Sequence, residues 1–207
     1  ATKRVTAKVS DSSASVEVDA DTGRGMIDSL DTIVSTCNDL NQSLQESGVD
    51  ARAKPILKIK VESESAVDST AVKLPSEVLR AAAEKTIEKV SIETPVATID
   101  IAPDAVETTG DESVELTARK LDTAGLSEIV REIVGNSPVF DFDFTVNGSK
   151  VSKFSKPVEI SVPYTPIAGE NTEKITVFYV NDDGQLENVT GRYNAETGRV
   201  EFSTGHF

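Results

Sequence analysis

Histidine occurs once in this 207-residue chain, as His206 in Gly205-His206-Phe207, directly after Val200-Glu201-Phe202-Ser203-Thr204. A histidine titrates near physiological pH, so its neutral imidazole can take a proton from a neighbouring hydroxyl. If the next residue of a longer chain were Ser or Thr, His206 could deprotonate that hydroxyl, which would attack the carbonyl of Phe207. The acyl group would move from nitrogen to oxygen, and water would then hydrolyse the ester. The products are a carboxylate at Phe207 and a new amino terminus downstream. This is nucleophilic catalysis with the base beside its target, at most a single-turnover intramolecular reaction. A strained turn next to a paired strand would lower the barrier, and Arg199–Ser203 supplies a strand of that kind. Gly205, His206 and Phe207 are therefore the candidate catalytic residues.

Other chemistries find less support. Asp19-Ala20-Asp21-Thr22-Gly23 has the alternating carboxylates of a calcium loop. Gly23 stands where a third oxygen ligand is needed, however, and Leu30 where a bidentate carboxylate belongs. Asp182-Asp183-Gly184 reads as a hairpin turn. With one His and one Cys, a zinc site of the usual kind is excluded, and no phosphate loop or nucleophile elbow is present. No metal and no cofactor is expected. Cys37 lies in the helical stripe Ile27, Leu30, Ile33, Val34, Cys37, Leu40, Leu44, which predicts a buried apolar role rather than a nucleophile. A glycan platform normally needs exposed aromatics. There is no Trp, and Tyr164, Tyr179 and Tyr193 all fall in strand-like runs.

The charge balance, 35 Asp+Glu against 21 Lys+Arg, argues against nucleic acid and against anionic lipid as partners. The apolar runs are too short for membrane insertion. One cysteine allows no intrachain disulfide. The start at Ala1-Thr2-Lys3, without methionine, suggests a piece of a longer protein.

The elements that must position the terminal tripeptide read as α+β. Val5–Val9 and Ala14–Val18 predict an opening hairpin. Gly23-Arg24-Gly25 predicts a break before a helix over Met26–Glu46, closed by Gly48. Strands follow at Ile56–Glu62 and Val72–Leu74, then a helix over Ser76–Lys85 entered through Pro75. Val90–Glu93, Thr98–Ile101 and Val114–Lys120 read as strands. Pro103–Val106 reads as a short helical turn and Leu126–Val134 as a helix ended by Gly135. In Val139–Val146 the alternation is strict, so Phe140, Phe142, Phe144 and Val146 share a face that must be buried. Asn147-Gly148 turns that strand back through Val151 to Phe154. Val158–Val162, the pair Lys174–Val180 with Leu186–Val189, and the hairpin Arg192–Ser203 complete the chain. Hairpin signals every eight to twelve residues from Val139 onward suggest an antiparallel β-sandwich. The expected division is a mixed portion over residues 1–135 and a β-sandwich portion over 136–207 that lacks its final strand. The two portions could share one core.

From Ile56 to Phe207 the chain resembles a module of bacterial cell-surface proteins that carry S-layer-homology anchors. The motifs are Leu74-Pro75, Glu93-Thr94-Pro95, Pro138-Val139-Phe140-Asp141-Phe142 and Asn147-Gly148. Further along they are Val162-Pro163-Tyr164, Val177-Phe178-Tyr179-Val180 and Tyr193-Asn194-Ala195-Glu196-Thr197-Gly198. In that family the last hairpin runs into a His-Phe-Ser segment and a final strand. The end also resembles the His-Phe-Ser or His-Leu-Thr site of autoproteolytic domains in adhesion receptors and ankyrin-related proteins. There the histidine is the base, the bond after the second residue breaks, and the halves stay paired. Only His206 and Phe207 carry over.

The resemblance implies an extracellular module of the bacterial cell surface, structural or adhesive, that cleaves itself after Phe207. Its partners would be the C-terminal cleavage fragment, supplying a β-strand, and cell-wall or surface proteins. The alternative is an uncleaved spacer, or a protein- or glycan-binding module, of an envelope protein.

Overall fold

A computed structural model describes residues 2–181 and 185–207. The turn expected at Asp182-Asp183-Gly184 lies outside the described residues. The chain runs as β1 (Thr2–Thr6), β2 (Lys8–Ser10), β3 (Ser13–Glu17), α1 (Ala20–Glu46), β4 (Ile56–Glu62), β5 (Ser69–Pro75), α2 (Ser76–Glu84), β6 (Lys89–Glu93), β7 (Thr98–Ile101), β8 (Ser113–Leu121) and α3 (Glu128–Val134). It continues as β9 (Val139–Val146), β10 (Ser149–Lys150), β11 (Lys153–Pro163), β12 (Phe178–Val180), β13 (Leu186–Asn188), β14 (Arg192–Asn194) and β15 (Arg199–His206). The fold is mixed helix and sheet, as the pattern predicted.

One sheet has the order β1-β4-β6-β7-β11-β15-β14, a second β10-β9-β8-β5-β3-β2, and β12-β13 form a separate ribbon. β1–β4, β4–β6 and β3–β5 pair in parallel, and helices α1 and α2 lie in the long connections that parallel pairing requires. From β9 onward every pairing is antiparallel. The ladders run across residue 135, since β9 pairs with β8 and β11 with β7. The buried cluster likewise joins Ile99 and Leu116 to Phe144 and Ile160.

The opening hairpin is present, but it serves two sheets. Val9 pairs with Ala14 and Ser10 with Ser13, across a turn in which Asp11 has φ 53°. β1 departs instead to pair with β4, and Ala7, buried at the crossing, donates its N–H to the Glu62 carbonyl at 2.9 Å. A single strand-like run thus divides, which alternation alone cannot reveal.

Helix α1 starts six residues before the expected Met26. Asp19 is its N-cap, accepting from the Thr22 N–H at 2.7 Å, and that bond holds its carboxyl below the usual carboxylate range. The alternating carboxylates here are a helix start. Gly23 and Gly25 sit inside the first turns rather than breaking the chain. At Gly23 the reason is close approach, because a Cβ there would lie 3.2 Å from Cγ of Pro75. Met26, Leu30 and Ile33 are buried, whereas Cys37 is only half-buried and Leu40 is exposed. The expectation of a buried Cys37 therefore fails. At 1.5 Å per residue, α1 is about 40 Å long and outruns the core.

Pro103-Asp104 forms a turn, with the Ala105 N–H on the Ala102 carbonyl, and no helix. On β9 only Phe144 is fully buried, while Phe140, Phe142 and Val146 pack half-exposed against the core. On the opposite face Arg119 of β8 reaches Asp141 at 2.6 Å and Asp143 at 2.9 Å. Asn147 and Gly148 both have positive φ, 51° and 78°, as a two-residue hairpin between β9 and β10 requires.

Candidate functional site

β15 pairs with β11 from Arg199 opposite Pro163 to Thr204 opposite Val158, and again at His206 opposite Lys153. On its other side β14 covers only Arg199, Val200 and Glu201. Arg199–Glu201 thus lies between two strands, whereas among the described residues no strand pairs with the outer side of Phe202–His206.

Gly205 is the point where the ladder loses register. Residues 154–157 of β11 stand opposite Gly205 alone, between two registered pairs. Pro157 has no N–H to donate, and Ser155 turns its N–H away to the Ala105 carbonyl at 3.0 Å. Lys156 follows, binding both carboxylate oxygens of Asp104 at 2.8 and 2.6 Å, which lowers the Asp104 pKa. The bulge is tied on the β15 side by Thr204. Its hydroxyl donates to the His206 carbonyl at 2.8 Å and lies 3.3 Å from the His206 N–H. The strained turn expected at this tripeptide is therefore a bulged strand. A ladder slip of this kind re-aims side chains without a reversal of the chain.

The two residues after the bulge face opposite ways. Phe207 donates its N–H to the Ser152 carbonyl at 3.3 Å, and its ring packs edge-on against Phe154 (4.8 Å between centroids) and beside Phe142 (5.8 Å). His206 meets the β12–β13 ribbon. Its ring lies edge-on to Tyr179 at 4.8 Å, and its Nε2 is 3.8 Å from Oε2 of Glu187. Tyr179 and Glu187 are directly opposed in that ribbon, so one cross-strand pair holds the imidazole from two sides. The imidazole side chain keeps 35% of its accessible surface, so a neighbouring group can still reach it.

The three predicted site residues are thus adjacent in space as in sequence. Sequence reasoning missed Tyr179 and Glu187. The ribbon that carries them was legible from its alternation, but no local pattern says that its face meets His206.

This arrangement can hold a base and anchor an acyl donor. The Phe207 ring is packed against two others, and its N–H is held by the Ser152 carbonyl. A residue following it in an extended chain would fall on the His206 face, since side chains two apart share a side.

Among the described residues no three His, Cys, Asp or Glu side chains converge to hold a metal ion. Among the described residues, too, no helix is long and apolar enough to cross a membrane. Tyr164 donates its hydroxyl to Glu170 at 2.8 Å, which raises its pKa, and stacks edge-on with Tyr193, while Tyr179 lies against His206.

No family model matches the chain. A protein of Evansella cellulosilytica described as "Putative membrane protein" is 33% identical over 72 residues, or 34% of this chain. The chain spans about a tenth of that protein's length, which the 10% coverage gives.

Proposed function

We propose that this chain is a module of a bacterial surface protein, extracellular and structural or adhesive, whose polypeptide breaks itself after Phe207. The observation that carries this reading is the division of labour at the end of β15. The Phe207 ring is anchored between Phe142 and Phe154, and the His206 imidazole is held against Tyr179 and Glu187 on the other face.

In a chain continued by Ser or Thr, the hydroxyl of that residue loses its proton to His206 and attacks the Phe207 carbonyl. The C–N bond breaks as the amine gains a proton, leaving an ester. Water then adds to the ester carbonyl, the new C–O bond breaks, and the hydroxyl is restored. Glu187 and Tyr179 act as positioning residues for His206, not as catalytic ones.

The two large sheets stack as a sandwich in this reading. Support comes from Phe142, on β9 of one sheet, which meets Phe202, on β15 of the other, at 6.3 Å, and Phe207, just past the end of β15, at 5.8 Å. The cell-surface assignment rests on the motif resemblance, and the partial likeness to a membrane protein is compatible with it. The test is the intact mass of the chain extended past Phe207 by Ser and a further strand. Two fragments divided after Phe207 support the reading, and a single uncut species refutes it. So does unchanged cleavage after His206→Ala.

A further inference from the structure

Lys89, Asp100 and Glu159 stand on β6, β7 and β11, the three central strands of the seven-stranded sheet. Asp100 and Glu159 are directly opposed in the β7–β11 ladder, and like charges so placed destabilise a sheet unless a cation joins them. Lys89 is that cation. Ser91 is the residue opposite Asp100, so Lys89 reaches across from the diagonal position. Its Nζ contacts Oδ2 of Asp100 and lies 3.2 Å from Oε2 of Glu159. Among the described residues no other lysine ion pair joins two carboxyl groups. The Lys89–Asp100 pair is also the most sheltered of them, with side chains 29% and 18% exposed. Asp100 has a second irregularity, since its Oδ1 is buried and has no hydrogen-bond partner. An unpaired buried oxygen costs more on a carboxylate than on a neutral carbonyl.

We propose that Lys89 and Asp100 join covalently, through an amide between Nζ and Cγ, with Glu159 carrying the proton. The resting state is an ion pair: burial works against the Lys89 charge, but the hydrogen bonds and charges of Asp100 and Glu159 outweigh it. One proton passing from Nζ to Oδ2 turns that pair into an amine beside a carboxylic acid. Nζ then attacks Cγ and the C–N bond forms. Glu159 takes a proton from the nitrogen and gives it to the Oδ2 hydroxyl, the C–Oδ2 bond breaks, and Oδ2 departs as water. Oδ1 remains as the amide carbonyl, and the amide N–H is left to donate to Glu159. The sum is ammonium plus carboxylate giving amide plus water, with no outside reactant.

A free amine and acid do not condense in water, but groups held in a reactive orientation reach effective molarities of about 10⁵–10⁸ M. Here the β6–β7 pairing holds the amine against the acid, and Glu159 faces both from β11. All three line one hollow on the polar face of the sheet, which gives the released water an exit. The amide would tie the two strands of the β6–β7 hairpin together beside β11, the strand on which β15 rests. Any dependence of stability on the Lys89 charge belongs to the uncoupled form. Nothing in this chemistry requires cleavage after Phe207, so the 207-residue chain itself tests it.

The intact mass of the purified chain should be lower by one water molecule than its sequence gives. Trypsin cleaves after free lysines, so it should pass over Lys89 and release residues 86–119 as one closed peptide, also one water light. A full-mass chain that trypsin cuts after Lys89 would overturn the proposal. Lys89→Arg keeps the charge but not the amine, and Asp100→Ala removes the acid. Both should have full mass with a native circular dichroism spectrum, and loss of that water in either would overturn the proposal. Glu159→Gln leaves the Lys89–Asp100 pair in place but cannot carry the proton. Its coupled fraction after a fixed incubation should fall at least about tenfold, and an unchanged fraction would overturn the role given to Glu159.

Discussion

Phe144 and Phe142 lie two residues apart on one face of β9, yet they should differ sharply when truncated. Phe144 is 2% exposed and sits edge-on to Phe154 at 5.5 Å. Phe144→Ala removes a fully buried ring, leaves a cavity and breaks that pair, so it should cost about 3–5 kcal/mol. For a domain of this size each kcal/mol is worth roughly 2–4 °C, so the midpoint should fall by roughly 6–20 °C. Phe142 is half-buried, although it touches Phe140, Phe202 and Phe207. Its truncation removes less area from an already open site, and about half the cost of Phe144→Ala is expected. Urea unfolding followed by circular dichroism measures both, and a double-mutant cycle of Phe144 with Phe154 should show about 0.5–1.5 kcal/mol of coupling. If Phe142→Ala costs as much as Phe144→Ala, the difference in burial does not set the cost and the reasoning fails.

Arg119 and then Lys150 donate to Asp143 and hold its carboxyl below the usual carboxylate range. Stability from Asp143 is present above the unfolded-state pKa near 3.8 and lost as pH falls through the lower folded value, so Asp143→Asn should flatten the acid limb of urea midpoint against pH. At Lys89 burial opposes the charge, but hydrogen bonds and charges from Asp100 and Glu159 outweigh it and raise the pKa. That stabilisation is complete below the unfolded value near 10.5 and should disappear as pH rises through the folded one, a loss that Lys89→Met removes from an alkaline titration of thermal stability. Gly23→Leu should destabilise by about 1–3 kcal/mol through overlap with the rigid Pro75 ring, read by thermal unfolding. Gly25→Ala, which meets only the Lys3 ammonium at 3.8 Å, should instead stabilise by up to about 1 kcal/mol through helix propensity. Gly191→Ala would drive its Cβ into the Val177 side chain and should destabilise the segment leading into β14, with loss of the Val189–Val177 backbone bond visible by hydrogen exchange.

Short-range patterns carried much of this fold. β4, β9 and the Asn147-Gly148 turn follow directly from alternation and from dihedral preference, because each depends on neighbours in sequence. The failures share a physical cause, which is that tertiary contact decided them. Gly23 reads as a breaker until Pro75 is seen against it, and Cys37 reads as core until the helix is seen to outrun the sheets. Val5–Val9 alternates in the same way whether it joins one sheet or two. At the candidate site His206 and Phe207 were visible because the histidine is unique and the segment before it is a strand. Tyr179 and Glu187 were not, since their role depends on where a separate ribbon lies against β15. The bulge at Gly205 was hidden too, because it arises from Pro157 and Ser155 on the partner strand rather than from the tripeptide itself.

The central claim is an ester formed at the Phe207 carbonyl by the hydroxyl that follows it, with His206 as base. Hydroxylamine attacks esters far faster than amides, so it can be added to the extended chain while cleavage proceeds. Mass spectrometry of the upstream fragment should then show Phe207 ending as a hydroxamate, with none formed in the His206→Ala variant. A fragment ending only as the free carboxylate at every hydroxylamine concentration would contradict the account.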